Sequence, residues 1–236
     1  MQFYEISDEY INYLRNTLKQ TTVYDSEVDS RRHNRKYIPL FRYKGISYFA
    51  PLSHGKKKDY NYNAKTKSFK VKCDTQVCIY IKDRNNKSLG TIQLGNLIPV
   101  PTGEYKKYEL DAETDRVYKQ TVKDQLHFIA SNIDRIREKA KNIVVQKMAH
   151  LSEPIKTIDK VPDIEKIHLY CEKKNQFAKL QDKKSAMQTY IVDPSKITKT
   201  PVKKSAMQKK KKQPKIEWHK KETATQQSLL VYIFLV

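Results

Sequence analysis

Short alternating runs of apolar and polar residues fill the first hundred positions, and a helical rhythm replaces them after Thr121. Phe3-Tyr4-Glu5-Ile6 predicts a short strand. Ser7 then caps a short amphipathic helix over Asp8–Leu18, in which Tyr10, Ile11, Leu14 and Leu18 share one face. Residues 19–35 are polar and irregular. Tyr37–Tyr43, Lys44-Gly45 and Ile46–Leu52 read as a hairpin of two β-rich runs about a tight turn. Residues 53–66 read as a basic loop with interleaved aromatics. Ser68–Cys73, Val77–Lys82, Leu89–Leu94 and Leu97–Val100 continue the strand series. From Val122, apolar residues recur by fours and threes through Leu126, Ile129, Ile133, Ile136, Ala140 and Ile143, which predicts one long helix or two in succession. The pattern predicts an α+β fold: a small, mostly antiparallel sheet or open barrel with a helical pair packed on it.

Charge divides the chain differently. Across 236 residues, 47 Lys and Arg oppose 26 Asp and Glu, a net charge of +21 with a pI near 9.7 and a mean hydropathy of −0.79. Residues 1–150 carry net +11 and residues 151–236 net +10, and no arginine follows Arg137. All five glycines lie in the first 103 residues, and the word Lys-Lys-Ser-Ala-Met-Gln occurs at both Lys183–Gln188 and Lys203–Gln208. The expected organisation is a folded domain over 1–150 and a basic, partly disordered C-terminal extension over 151–236, with an ordered stretch at Ile164–Leu180. A surplus of cations on this scale points to a polyanionic partner, most often nucleic acid. No run approaches the roughly 20 apolar residues of a bilayer-spanning helix, and the N-terminus lacks a basic-then-apolar order, so no membrane contact and a cytoplasmic location are expected.

Motif inspection removes several chemistries. Cys73, Cys78 and Cys171 form no CxxC pair, so neither a disulfide framework nor a zinc site is expected. No Walker loop, GxGxxG, HExxH or GxSxG occurs. The acidic groups Asp8-Glu9 and Asp111, Glu113 and Asp115 read as solvated acids rather than a two-metal nuclease centre.

The informative stretch is Tyr48-Phe49-Ala50-Pro51-Leu52-Ser53-His54-Gly55-Lys56-Lys57-Lys58. A hydroxyl, an imidazole and a lysine cluster emerge together where an apolar strand ends. Metal-free RNA cleavage needs groups that deprotonate the 2′-hydroxyl, stabilise a charged pentacoordinate phosphate and protonate the 5′-oxygen. A lysine or arginine suits the second task, and His54 suits the first or third. The same run also reads as a plain turn after a strand.

Four stretches in order resemble the ToxN/AbiQ family, the endoribonuclease toxins of type III toxin–antitoxin systems. They are Phe3–Tyr10, Tyr48–Ser53 followed by Lys56, Leu89–Leu94 with Leu97–Pro101, and the helical positions Tyr118, Gln125, Phe128, Asn132 and Ile136. The resemblance covers residues 1 to about 149. It implies a compact, highly curved antiparallel sheet with helices, similar to the MazF/Kid toxins. It implies RNA cleavage without a metal or cofactor, leaving a 2′,3′-cyclic phosphate. It implies a role in phage defence, and two RNA partners: cellular or phage RNA as substrate, and a repetitive antitoxin RNA that the toxin processes. Its pseudoknot repeats then hold the toxin inactive in a closed protein–RNA heteromeric assembly.

By the resemblance, the catalytic positions fall on Tyr10, Arg35, Ser53, His54 and Lys56, with Lys36 the alternative to Arg35. Two positions depart from the family pattern: His54 replaces a small hydroxyl, and Gly55 stands where proline is common. From the residues themselves, Tyr10 also reads as a core aromatic and Arg35 as a loop cation. Lys57, Lys58 and Lys65, with Tyr60 and Tyr62 between them, read as RNA contacts through phosphate pairing and base stacking, as does Lys36. Two competing readings are a non-catalytic RNA-binding protein and a MazF-like toxin with a protein antitoxin.

Overall fold

A computed structural model describes residues 1–23, 33–151, 155 and 158–191. The expected extension beyond Ile191, the second Lys-Lys-Ser-Ala-Met-Gln copy included, lies outside the described residues, as does 24–32.

Ser7 caps the first helix as its sequence predicts, accepting a hydrogen bond from the Tyr10 amide. β1 (Tyr4–Ile6) leads into α1 (Asp8–Asn12), which continues as a π-helical stretch over Tyr13–Thr17. β2 (Tyr37–Tyr43) and β3 (Ile46–Ser53) form the expected hairpin. Lys44 and Gly45 both adopt positive φ (46° and 78°) at its turn, the combination a two-residue hairpin loop requires. Pairing between them shifts register between Pro39 and Phe41, and the Leu40 carbonyl at that irregularity accepts from Arg137 Nε at 2.8 Å.

The segment expected as a basic loop over 53–66 instead contains a strand. β4 (Tyr60–Asn63) pairs with β5 (Ser68–Val71) as a two-stranded sheet of its own. Alternation across Tyr60, Tyr62, Phe69 and Val71 explains this: the tyrosines share one face, and the asparagines take the other. β6 (Ile79–Lys82), β7 (Ser88–Ile92), β8 (Ile98–Val100) and β9 (Tyr105–Lys107) complete the series. The main sheet is antiparallel and runs β6-β7-β3-β2-β1-β9, with β8 joining β3. It is an open sheet. The predicted long helix is two, α2 (Arg116–Ser131) and α3 (Ile133–Met148), separated at Asn132, whose side-chain amide donates to the Phe128 carbonyl.

β3 reads as an unbroken apolar run because both of its faces are covered. Tyr48, Ala50 and Leu52 join Val122, Ile129 and Ile136 of the helical pair in one core cluster. Phe49, on the opposite face, and Ile46, at the start of the strand, join a second cluster with Tyr10 and Ile11 of α1 and Leu14 of its π-helical continuation. Core-forming residues continue past His150, where composition suggested a boundary. Ile155, Ile158, Val161 and Ile164 belong to the first cluster, and Ile167 and Cys171 to the second. α4 (Ile164–Ile191) contains the stretch expected to be ordered. One compact unit spans Met1–Asn175.

β7 approaches β3 very closely at Gly90, which has φ +136°; a Cβ there would lie 2.0 Å from the Ser53 carbonyl oxygen. Only glycine fits at this point. Gly90→Ala is expected to cost about 3 kcal/mol of stability by forcing the strands apart. Chemical denaturation checks this, whereas Gly45→Ala meets no neighbouring atom and loses only its turn preference.

Candidate active site

Where β3 ends, its last residues open into a cleft of ≈ 1040 Å³. Leu52, Ser53 and His54 form one wall, and Lys56, Lys58 and Asp59 of the following loop form the rim. Thr91 and Gln93 from β7 and its exit lie beside them, and Tyr118, Thr121 and Gln125 of α2 face across. His33, Asn34, Arg35 and Lys36 close the remaining side. Antiparallel pairing puts Ser53 directly opposite Thr91, and their hydroxyl oxygens are 2.9 Å apart.

The loop carrying Lys56 and Lys58 is fixed by a residue the sequence did not flag. Asp59, buried, accepts from the Lys56 amide at 2.7 Å and from the Ser88 hydroxyl at 3.1 Å. The Asp59 amide donates back to the Lys56 carbonyl, and the Lys72 amide donates to the Asp59 carbonyl, each at 2.9 Å. Gly55 sits where a Cβ would come within 2.5 Å of the Ser88 carbonyl oxygen, so this loop packs tightly on the start of β7. Glycine at this departure from the family pattern thus has a steric reason.

The cleft brings together Arg35, Ser53, His54, Lys56 and Lys58 from the expected set. Arg35 Nη1 donates to the Leu52 carbonyl at 3.3 Å, which ties the segment before β2 to the end of β3. Lys36 lies in the wall, but its ammonium is turned onto Glu5 at 2.6 Å and over the Tyr108 ring. It is buried to 7% exposure, and its ammonium is engaged in that ion pair. Tyr10 does not line the cleft. It stands in the second core cluster, its hydroxyl donating to the Pro99 carbonyl at 2.7 Å with Cys171 Sγ 3.3 Å away. Burial, reinforced by Cys171, pushes that phenol well above its ordinary range, so it stays protonated. Its place on the face of α1 that carries Ile11 and Leu14 dictates this. Tyr60 accepts from the Ser88 amide at 2.6 Å and so anchors its strand. Lys57 is exposed in the loop, and Lys65 is exposed in the turn beyond β4. Tyr62 is 56% exposed and packs against Phe69, itself 68% exposed, with ring centroids 5.0 Å apart.

The family model for the ToxN toxin of type III toxin–antitoxin systems matches residues 2–172. The chain belongs to this family. It is 29% identical to Endoribonuclease ToxN of Bacillus thuringiensis subsp. kurstaki over 77% of this chain and 89% of that protein. It is 30% identical to Endoribonuclease ToxN of Pectobacterium atrosepticum over 62% of this chain and 82% of that one. A solved structure concerned with type III systems, and with selective toxin inhibition by a non-coding RNA pseudoknot, superposes with a TM-score of 0.59. That pair is 26% identical and covers 73% of this chain and 96% of the other.

Sequence reasoning missed further groups at this family member's cleft. His33 stacks on Tyr118 with ring centroids 3.8 Å apart, between Glu113 (3.7 Å) and Asp115 (3.8 Å). Burial, with Glu113 and Glu5 nearby, raises the Tyr118 phenol to about 12, and it is neutral at physiological pH. Cys78 is also raised by burial, to about 11, against the opposing hydrogen bond from Thr91. Tyr118 stood in a stretch that resembles the family without a role attached, and His33 and Cys78 carried no motif; strand pairing and the loop before β2 bring them together. Among the described residues, no group of three or more His, Cys, Asp or Glu is placed to hold a metal ion, and no helix is long and apolar enough to cross a membrane.

The Glu5–Lys36 pair makes a prediction about stability. Burial opposes ionisation of Glu5, but the Lys36 and Lys106 contacts outweigh it, and the net effect lowers its pKa. A depressed carboxylate stabilises the fold above its unfolded value of about 4.3 and loses that contribution as pH falls through the folded value. Lys36→Met is therefore expected to cost about 2 kcal/mol at neutral pH, with the deficit closing in acid below pH ~4. Thermal melts of both proteins between pH 3 and 7 measure it.

Proposed function

We propose that this chain is an endoribonuclease toxin that cuts RNA without a metal, by attack of a ribose 2′-hydroxyl on the adjacent phosphate. The products are a 2′,3′-cyclic phosphate and a 5′-hydroxyl. One observation carries the reading: Arg35, Ser53, His54 and Lys56, drawn from two distant stretches of sequence, line one cleft in a chain of the ToxN family. Their chemistry fits the three demands of the reaction. His54 exchanges the proton of the attacking hydroxyl or the leaving oxygen. Lys56 and Arg35 oppose the charge that develops on the pentacoordinate phosphate, and Ser53 offers it a hydroxyl hydrogen bond. Tyr10, held in the core, acts by supporting β8 through Pro99 rather than by touching RNA.

The relatives' names and the pseudoknot-inhibited neighbour support an RNA on both sides of this toxin's cycle. Cellular or phage RNA is the substrate. A repetitive antitoxin RNA is processed and then holds the enzyme inactive in a closed protein–RNA assembly, as part of a cytoplasmic phage defence. The curved MazF/Kid-like open barrel is part of the same reading. The toxin domain spans Met1–Asn175, and the residues after it form the basic extension. That extension holds the whole cationic surplus of the second half, 14 lysines against 4 acidic residues. Lys57, Lys58 and Lys65 supply phosphate contacts, and Tyr62 supplies a stacking face.

His54→Ala and Lys56→Ala are each expected to lower cleavage of an mRNA transcript at least ~100-fold with unchanged melting temperature. The parent should yield cyclic-phosphate ends in the presence of EDTA. Parental rates in both variants would remove this site assignment. Separately, removal of residues 176–236 is expected to flatten the salt dependence of RNA binding, because fewer counterions are displaced. An unchanged slope in a filter-binding titration would make the extension a passenger.

A further inference from the structure

The hydroxyl of Ser53 sits at one end of a hydrogen-bonded chain that the reaction scheme above does not use. Gln93 Nε2 lies 2.5 Å from Thr91 Oγ1, and Thr91 Oγ1 lies 2.9 Å from Ser53 Oγ. The second side of the same amide faces Cys78 Sγ at 3.6 Å. Thr91 is buried at 2% exposure, and the Gln93 backbone amide donates to the Pro51 carbonyl at 3.0 Å, so both relay members are held by β-sheet packing.

Direction follows from the donor inventory. An amide nitrogen can only donate, so Thr91 Oγ1 accepts from Gln93; of the two acceptors its own proton then meets, Ser53 Oγ at 2.9 Å is a stronger one than the Cys78 sulfur and takes it. The Ser53 proton is then free of Thr91. Among the described residues, its proton otherwise meets the His54 carbonyl at 3.4 Å, a long and weak bond that a substrate displaces at little cost. A phosphate offers oxygen acceptors alone, so a hydroxyl stabilises it only when its proton faces it.

We propose that Gln93 and Thr91 are positioning residues whose one-way relay points the Ser53 proton into the cleft, toward the phosphate that becomes pentacoordinate. This rests on the assignment of Ser53 to the active site. It identifies why β7 must bring a hydroxyl residue, followed two positions later by an amide, against the end of β3. A carboxylate in place of the amide reverses the chain. Thr91 then donates to the carboxylate, Ser53 donates to Thr91, and no proton faces the phosphate.

The test measures kcat and KM for cleavage of an mRNA transcript by Ser53→Ala, Thr91→Val, Thr91→Ser, Gln93→Glu and the parent. Circular dichroism melts of each protein accompany the kinetics. Thr91→Val and Gln93→Glu should lose roughly 10- to 100-fold in kcat, with KM within about twofold, the scale of one hydrogen bond to a developing charge. Thr91→Ser restores the relay and should stay within about threefold of the parent. The Gln93→Glu deficit should narrow as pH falls toward ~4.5, where the introduced carboxylic acid regains a donor. Loss in Ser53→Ala alongside parental kcat in Thr91→Val or Gln93→Glu overturns the relay and leaves the site assignment standing. Parental cleavage by Ser53→Ala overturns the site assignment and the relay with it. If Thr91→Val does not fold, Gln93→Glu, which conserves size at a partly exposed position, decides the matter: a pH-independent deficit or none at all overturns the proposal.

Discussion

β3 is held along its length by β2 and β8 on its edges, at its end by β7, and on both faces by side chains from the helices, until the residue at which it opens into the cleft. The approach of Gly90 to the Ser53 carbonyl is the tightest point of that arrangement. Strand pairing here does two tasks with one set of contacts. It terminates a core strand, and it places the Ser53 and Thr91 hydroxyls in register at the edge of solvent. A site assembled this way inherits the rigidity of the sheet, because Ser53, Thr91 and Gln93 move only if β3 or β7 moves.

Around that fixed end the flexible groups are tethered one by one. Asp59 holds the lysine loop through two backbone amides and a hydroxyl, although it sits among cations and its charge opposes phosphate. Although it borders the cleft, it is buried and its carboxylate is engaged by the Lys56 amide and the Ser88 hydroxyl, so it shapes the loop while the lysines stay exposed. The stretch before β2 is tied by Arg35 to Leu52, by Lys36 to Glu5 and by the stack of His33 on Tyr118. Of the cations lining the cleft, Lys36 is thus committed to an ion pair, while Lys56 and Lys58 remain exposed at the rim.

Much of this was legible in the chain, and the parts that were not share a cause. The β2–β3 hairpin, the Ser7 cap and the helical rhythm after Thr121 are local signals, set by turn chemistry and periodicity, and they appear where expected. β4 was hidden because Lys56–Lys58 and the asparagines weaken its alternation, and pairing with β5 overrides that composition. Ser53, His54 and Lys56 were legible as a cluster because they are adjacent in sequence. Thr91, Gln93, His33 and Asp59 were not, since pairing across dozens of residues brings them there. Tyr10 and Lys36 illustrate the converse: a residue type suited to chemistry can be consumed by packing, and only burial and partners reveal it.

The second core cluster has a consequence for how the chain becomes active during synthesis. Its first members, Ile6, Tyr10, Ile11 and Leu14, leave the ribosome early, whereas Ile167 and Cys171 arrive more than a hundred and fifty residues later. Until then the cover on one face of β3 lacks its last members, and the Tyr10 hydroxyl lacks its thiol neighbour. The strands that carry Ser53 and Thr91 are therefore complete in sequence long before they are fully braced. A nascent or prematurely released chain ending ahead of α4 would carry every cleft residue on an unfinished scaffold. Late-arriving residues thus complete the packing beneath strands that are already made.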